Sequence, residues 1–119
     1  MKTVDDINQL SLPEPYKETI LYMVSKLGDF PVVKDIILFG GCARQNVSQS
    51  SDIDLALVVS EPISPDEEWD IDYSIRKWDT NLPCDIIFIP SDTFKRDIRG
   101  ENIIRPILRE GVSLNGLLR

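Results

Sequence analysis

The stretch from Ile36 to Val59 constrains this chain more than any other. An apolar run, Ile36–Phe39, stops at Gly40-Gly41, a polar segment follows, and a second apolar run opens on Asp52-Ile53-Asp54 and continues through Leu55–Val59. Short apolar runs bounded by glycines and polar loops are the pattern of buried strands. Side chains alternate along a strand, so Asp52, Asp54, Ala56 and Val58 share one face while Ile53, Leu55, Leu57 and Val59 share the other. Apart from the two aspartates both faces are apolar, which predicts a central strand over Ile53–Val59. The link from Phe39 to Ile53 is long for a tight hairpin and short for a full crossover. The two strands are therefore read as antiparallel neighbours, with a helical turn around Ala43–Val47.

The first dozen residues are weakly patterned. Pro13-Glu14-Pro15 leads into a helix whose apolar stripe is Tyr16, Ile20, Val24 and Leu27, stopped at Gly28 with Pro31 beyond. A strand is predicted over Asp35–Phe39. Ser64-Pro65-Asp66-Glu67 reads as a helix start, with Ser64 as N-cap and Glu67 closing a capping box, and the helix extends to about Trp78. Cys84–Ile89 is a third apolar run, ended by Pro90. Ser91 or Asp92 caps a further helix, which Gly100 interrupts. A second piece spans about Glu101 to Glu110 and contains Pro106. Gly111 closes it, and Val112–Leu114 forms a short last strand. This order predicts an α/β (α+β) fold, a small mixed sheet with helices packed on it, as one domain over residues 1–119.

Composition narrows the chemistry. The net charge of −7 opposes stable binding to a nucleic-acid duplex but is compatible with a small phosphorylated ligand carried with Mg²⁺. The chain has no histidine, which excludes Ser-His-Asp triads and His-ligated zinc. Cys42 and Cys84 lack metal-ligand spacing and are read as free thiols. No apolar run spans a bilayer and no leader pattern is seen, so a cytoplasmic protein without a membrane role is expected.

The glycine pair lets backbone approach phosphate closely. Same-face residues on a strand lie about 6.6 Å apart, so Asp52 and Asp54 can offer oxygens to one or two hard cations such as Mg²⁺. Two cations suit an in-line phosphoryl transfer, and that arrangement calls for a further carboxylate on a neighbouring strand. Asp85, leading the third apolar run, is the candidate, and it is also placed to assist proton removal. Each element alone has an ordinary explanation. Asp-x-Asp after Ser50-Ser51 is turn chemistry, a glycine pair is a turn, and Asp85 solvates a strand edge. Their conjunction is far more specific.

Arg44 is read either as a triphosphate contact or as a solvated loop charge, and Cys42 as a small filler beside the loop. Trp69, Tyr73 and Trp78 fit one helix face loosely, which favours packing over base stacking or partner contact. Asp66, Glu67, Glu68, Asp70 and Asp72 form a solvated acidic face suited to a helix N-terminus.

Phe39–Arg44 together with Ser51–Leu55 resembles the minimal nucleotidyltransferases of the polymerase-beta-like superfamily. Their signature is Gly-Ser, about ten residues, then Asp-x-Asp, with a third acidic residue on a later strand. The ending Ile107–Val112 is similar to their closing segment, so the likeness covers most of residues 34–114. The resemblance implies Asp52, Asp54 and Asp85 as catalytic metal ligands for two Mg²⁺. It also implies Gly40, Gly41 and, more weakly, Arg44 as nucleotide contacts. The implied reaction moves AMP from ATP to a hydroxyl, releasing pyrophosphate. The implied partner is a small helical HEPN-type protein, an RNase toxin that such an antitoxin binds or modifies. Gly41 stands where the family usually has serine, and Gln45 where glycine often follows Ala-Arg. Losing a hydroxyl bond to a charged phosphate costs about 1.5–3 kcal/mol. Two alternatives follow: a catalytically weak binding module of the same fold, or a transferase acting on a small molecule such as an aminoglycoside.

Overall fold

Five strands form one mixed sheet in the order β1-β5-β2-β3-β4. The strands are β1 (Lys2–Thr3), β2 (Val33–Phe39), β3 (Ile53–Val59), β4 (Cys84–Pro90) and β5 (Val112–Ser113). The helices are α1 (Glu14–Leu27), α2 (Gly40–Ala43), α3 (Pro65–Ile75) and α4 (Ser91–Arg96). The computed structural model describes residues 1–44, 52–96, 107 and 109–118.

The central strand is β3, with the predicted bounds and with β2 antiparallel on one side and β4 parallel on the other. Its alternation sorts the core into two layers. Ile53, Leu55 and Leu57 join Ile36 and Leu38 of β2 beneath α1 and α3. Ala56 and Val58 join Ile37, Ile89 and Ile107 in a smaller layer on the opposite face, where Phe94 of α4 packs. The predicted stripe of α1 is fully buried, together with Met23 and Thr19, whose hydroxyl donates to the Pro15 carbonyl.

The start of α3 is as predicted: Ser64 Oγ accepts from the Glu67 N–H and the Glu67 carboxylate accepts from the Ser64 N–H. Its end is not. The helix stops at Ile75 rather than near Trp78, because the Arg76 guanidinium holds the Asp72 carboxylate and donates to the Cys84 carbonyl, and Arg76 adopts extended backbone. The Trp78 indole then folds back and donates to the Tyr73 carbonyl, one of the acceptors that a helix end leaves open.

Two boundaries differ on the β2 side of the sheet, and one strand there was not predicted. β2 begins at Val33, two residues before the predicted start, with a bulge between Val33 and Asp35. Asn115 stabilises that extension by bonding both the Ile36 N–H and the Lys34 carbonyl. β5 ends at Ser113, although Leu114 still donates to the Ile36 carbonyl. β1 pairs parallel with β5 and is too short to carry a period that sequence could reveal.

The helical turn expected at Ala43–Val47 lies earlier, at Gly40–Ala43; residues 45–51 are outside the described residues. Gly100, Pro106 and most of the predicted Glu101–Glu110 helix are outside them too, while Ile107, Arg109 and Glu110 are helical. Gly111 closes that helix by donating to the Ile107 carbonyl, in a space where a Cβ would collide with that oxygen and with Ile37.

Candidate active site

The site is built at the N-terminal ends of β3 and β4. Parallel pairing sets Asp54 level with Asp85, and residues level on neighbouring strands project to the same face. Asp52 precedes Asp54 by two positions and shares that side. The outcome is a cluster in which one oxygen from each of Asp52, Asp54 and Asp85 lies within 4.8 Å of the others. All three carboxylates singled out in the sequence are thus brought together, on the face of the sheet that carries Ala56, Val58 and Ile89.

Asp54 is half-buried and Asp85 is exposed. Burial, then the charges of Asp85 and Asp52, push the Asp54 carboxyl up to about 6, against the pull of Arg44. Three converging carboxylates repel one another, and hard divalent cations are the partners whose chemistry fits an all-oxygen donor set of this kind.

Gly40 is fitted to Asp54. Its φ is +73°, in the left-handed region, and a Cβ at this position would run into the Asp54 carboxylate. The glycine therefore permits both the turn out of β2 and the inward placement of the acid. The predicted loop pair, Gly40 and Gly41, forms the first half of α2 rather than an open loop. Cys42 is fully buried behind it, and its thiol donates to the Asp52 carbonyl at 3.4 Å. Burial, then the neighbouring carboxylate Asp54, raise that thiol to about 11, so it stays protonated as a donor at neutral pH. Cys42 is a filler, as predicted, and also a tie between α2 and the start of β3.

Arg44 is not a free loop charge. Its Nη1 lies 2.6 Å from Glu110 Oε2, an exposed pair that links α2 to the helix before β5. Sequence reasoning missed Arg76. Its bonds to Asp72 and to the Cys84 carbonyl fix the backbone immediately before Asp85. The available signal was the Asp72/Arg76 spacing of four at a helix end, which had been absorbed into the solvated acidic face.

The family described as polymerase beta, nucleotidyltransferase matches residues 23–107 of the chain. The chain belongs to this family. The matched span contains α2, β3, β4 and the three carboxylates, and it covers well over half of the chain. Two solved structures share the fold. One is a toxin–antitoxin complex with AMP-PNP, 17% identical, covering 81% of this chain and 69% of that chain at a TM-score of 0.54. The other is a mutant MntA-HpeT toxin–antitoxin complex, 15% identical, covering 76% of this chain and 68% of that chain at a TM-score of 0.54. No curated protein matches the sequence. Among the described residues no helix is long and apolar enough to cross a membrane.

Proposed function

We propose that this nucleotidyltransferase-family chain transfers AMP from ATP to a hydroxyl on a partner protein, as the antitoxin half of a toxin–antitoxin pair. The observation that carries the reading is the convergence of Asp52, Asp54 and Asp85 within 4.8 Å. Support for the nucleotide and the partner comes from the fold neighbours, which are toxin–antitoxin complexes, one of them with AMP-PNP.

Asp52 and Asp54 would hold two Mg²⁺ with Asp85. Bound there, Mg²⁺ supplies charge neutralisation for the triphosphate and acidifies the attacking hydroxyl. The backbone of Gly40 and Gly41 would receive the β- and γ-phosphates, since neither residue has a side chain to obstruct them. Arg44 would exchange Glu110 for a phosphate oxygen, a replacement between two charge-assisted bonds. Asp85, an exposed acid of the cluster, would take the hydroxyl proton. The partner most consistent with this role is a small helical HEPN-type protein.

The test is incubation of the purified chain with Mg²⁺, labelled ATP and the protein encoded beside it. Label on the partner, lost with Asp54→Asn, is the expected result; label that persists in that variant would refute the metal-dependent mechanism.

One observation favours a second reading. Gly41 offers no hydroxyl and Arg44 is engaged by Glu110, as in a module that binds its partner without turnover. Partner binding with no nucleotide binding at all would establish that reading instead.

A further inference from the structure

Trp69, Tyr73 and Trp78, read from sequence as core or surface packing residues, lie on the surface, 66%, 54% and 64% exposed. They form a ladder. Trp69 and Tyr73 stack with ring centroids 5.2 Å apart and planes 18° from parallel, and Tyr73 and Trp78 follow at 5.0 Å. The Trp78 indole bond to the Tyr73 carbonyl, 3.1 Å, fixes the third ring. Large apolar side chains clustered in solvent mark contact sites more often than chance exposure.

Beside the ladder runs a groove of about 330 Å³ between α3 and β4, the last strand of the sheet. Ile86 and Phe88 line it from the strand, and Pro65, Glu68, Trp69 and Asp72 from the helix. Residues alternate along β4, so Ile86 and Phe88 face away from Asp85. The groove and the carboxylate cluster therefore occupy opposite faces of the sheet.

Charge decides what fits. From Pro65 to Ile75 the helix carries Asp66, Glu67, Glu68, Asp70 and Asp72 and no lysine or arginine. Arg76 pairs with Asp72, but among the described residues Asp66, Glu68 and Asp70 have no ion-pair partner. A nucleic acid would stack on the rings but bring phosphates against these carboxylates. A second copy would set the same acidic face against itself, in a chain of net charge −7. Guanidinium and ammonium groups suit both halves of the surface, lying over aromatic faces while their N–H groups meet carboxylates.

We infer that the α3–β4 groove and its aromatic ladder are a docking surface for a basic segment of a partner protein, seated by arginine or lysine side chains. This surface would hold the partner of the proposed reaction, and to that extent stands on that reading; its binding test involves no nucleotide. The two tryptophans of the chain are both in the ladder, so tryptophan emission, excited selectively over tyrosine, reports on this surface alone. The full chain is titrated with a hexa-arginine peptide and, separately, with a hexa-glutamine peptide. A saturable emission change is expected with arginine and none with glutamine. Tyr73→Ala, which leaves the net charge unchanged, is expected to weaken binding about tenfold. Glu68→Gln weakens it as well, and Asp54→Asn leaves it unchanged. An equal response to both peptides, insensitivity to Tyr73→Ala, or an equal loss in Asp54→Asn would overturn the assignment. So would sedimentation showing that the ladder holds a second copy, or a stronger response to oligo-dT.

Discussion

The two ends of the β3–β4 ladder differ in what they do for the molecule. Toward Leu57 and Val59 the strands are sealed between apolar layers, and Leu55, Ala56 and Leu57 are wholly inaccessible. At the other end three carboxylates crowd within 4.8 Å on the same backbone register. One end lowers the free energy of the fold through burial; the other raises it through like-charge repulsion and desolvation. The lesson is that a well-packed strand can hold an unfavourable cluster in place because its cohesion is supplied a few residues away.

Substitutions at the two ends should separate. Leu57→Ala empties a fully buried site and is expected to cost on the order of 3–5 kcal/mol in denaturant unfolding, with transfer per folded molecule retained. Asp54→Asn should do the reverse, cutting transfer by a hundred- to a thousandfold, about 3–4 kcal/mol, while leaving stability equal or higher. If Asp54→Asn unfolds the protein, the contrast between the ends is false. Gly41→Ser sharpens the acid end: an added hydroxyl within reach of a phosphate is expected to raise the transfer rate roughly ten- to a hundredfold, read from initial rates. Gly40→Ala is expected to destabilise by about 1–3 kcal/mol, because φ is +73° there, and to weaken cation binding by displacing Asp54.

The smallest effect is a pH dependence. Asp54 titrates at about 6 in the folded protein, above the 3.8 of an ordinary aspartate. Its contribution to stability is thus complete below that ordinary value and is lost as pH rises through 6. Metal-free protein should melt at a lower temperature at pH 7 than at pH 5, measured relative to Asp54→Asn. Millimolar Mg²⁺ should recover more of the loss at pH 7. A pH slope identical in the variant would contradict this.

Much of this was legible in the sequence because it was encoded locally. β3 was bounded correctly since its apolar run is uninterrupted and its aspartates mark the entrance. The capping box placed the start of α3. What sequence did not expose depends on distant partners. Asp85 was proposed as the third acid, but its level with Asp54 is a product of parallel pairing between strands some thirty residues apart. The end of α3 depends on Arg76 reaching Cys84, and the start of β2 on Asn115. The ladder escaped notice because four- and five-residue spacings mimic a loosely buried face, and only the bend after Ile75 turns Trp78 outward.

The pairing of β1 and β2 with β5 has a consequence during synthesis. Thr3 and Ile37 both meet Ser113, so β1 lacks this partner and β2 is paired only on its β3 side until residues 112–113 have left the ribosome. Until then the flank of β2 is unsheltered, and a nascent polypeptide in that state is a natural client for holding factors.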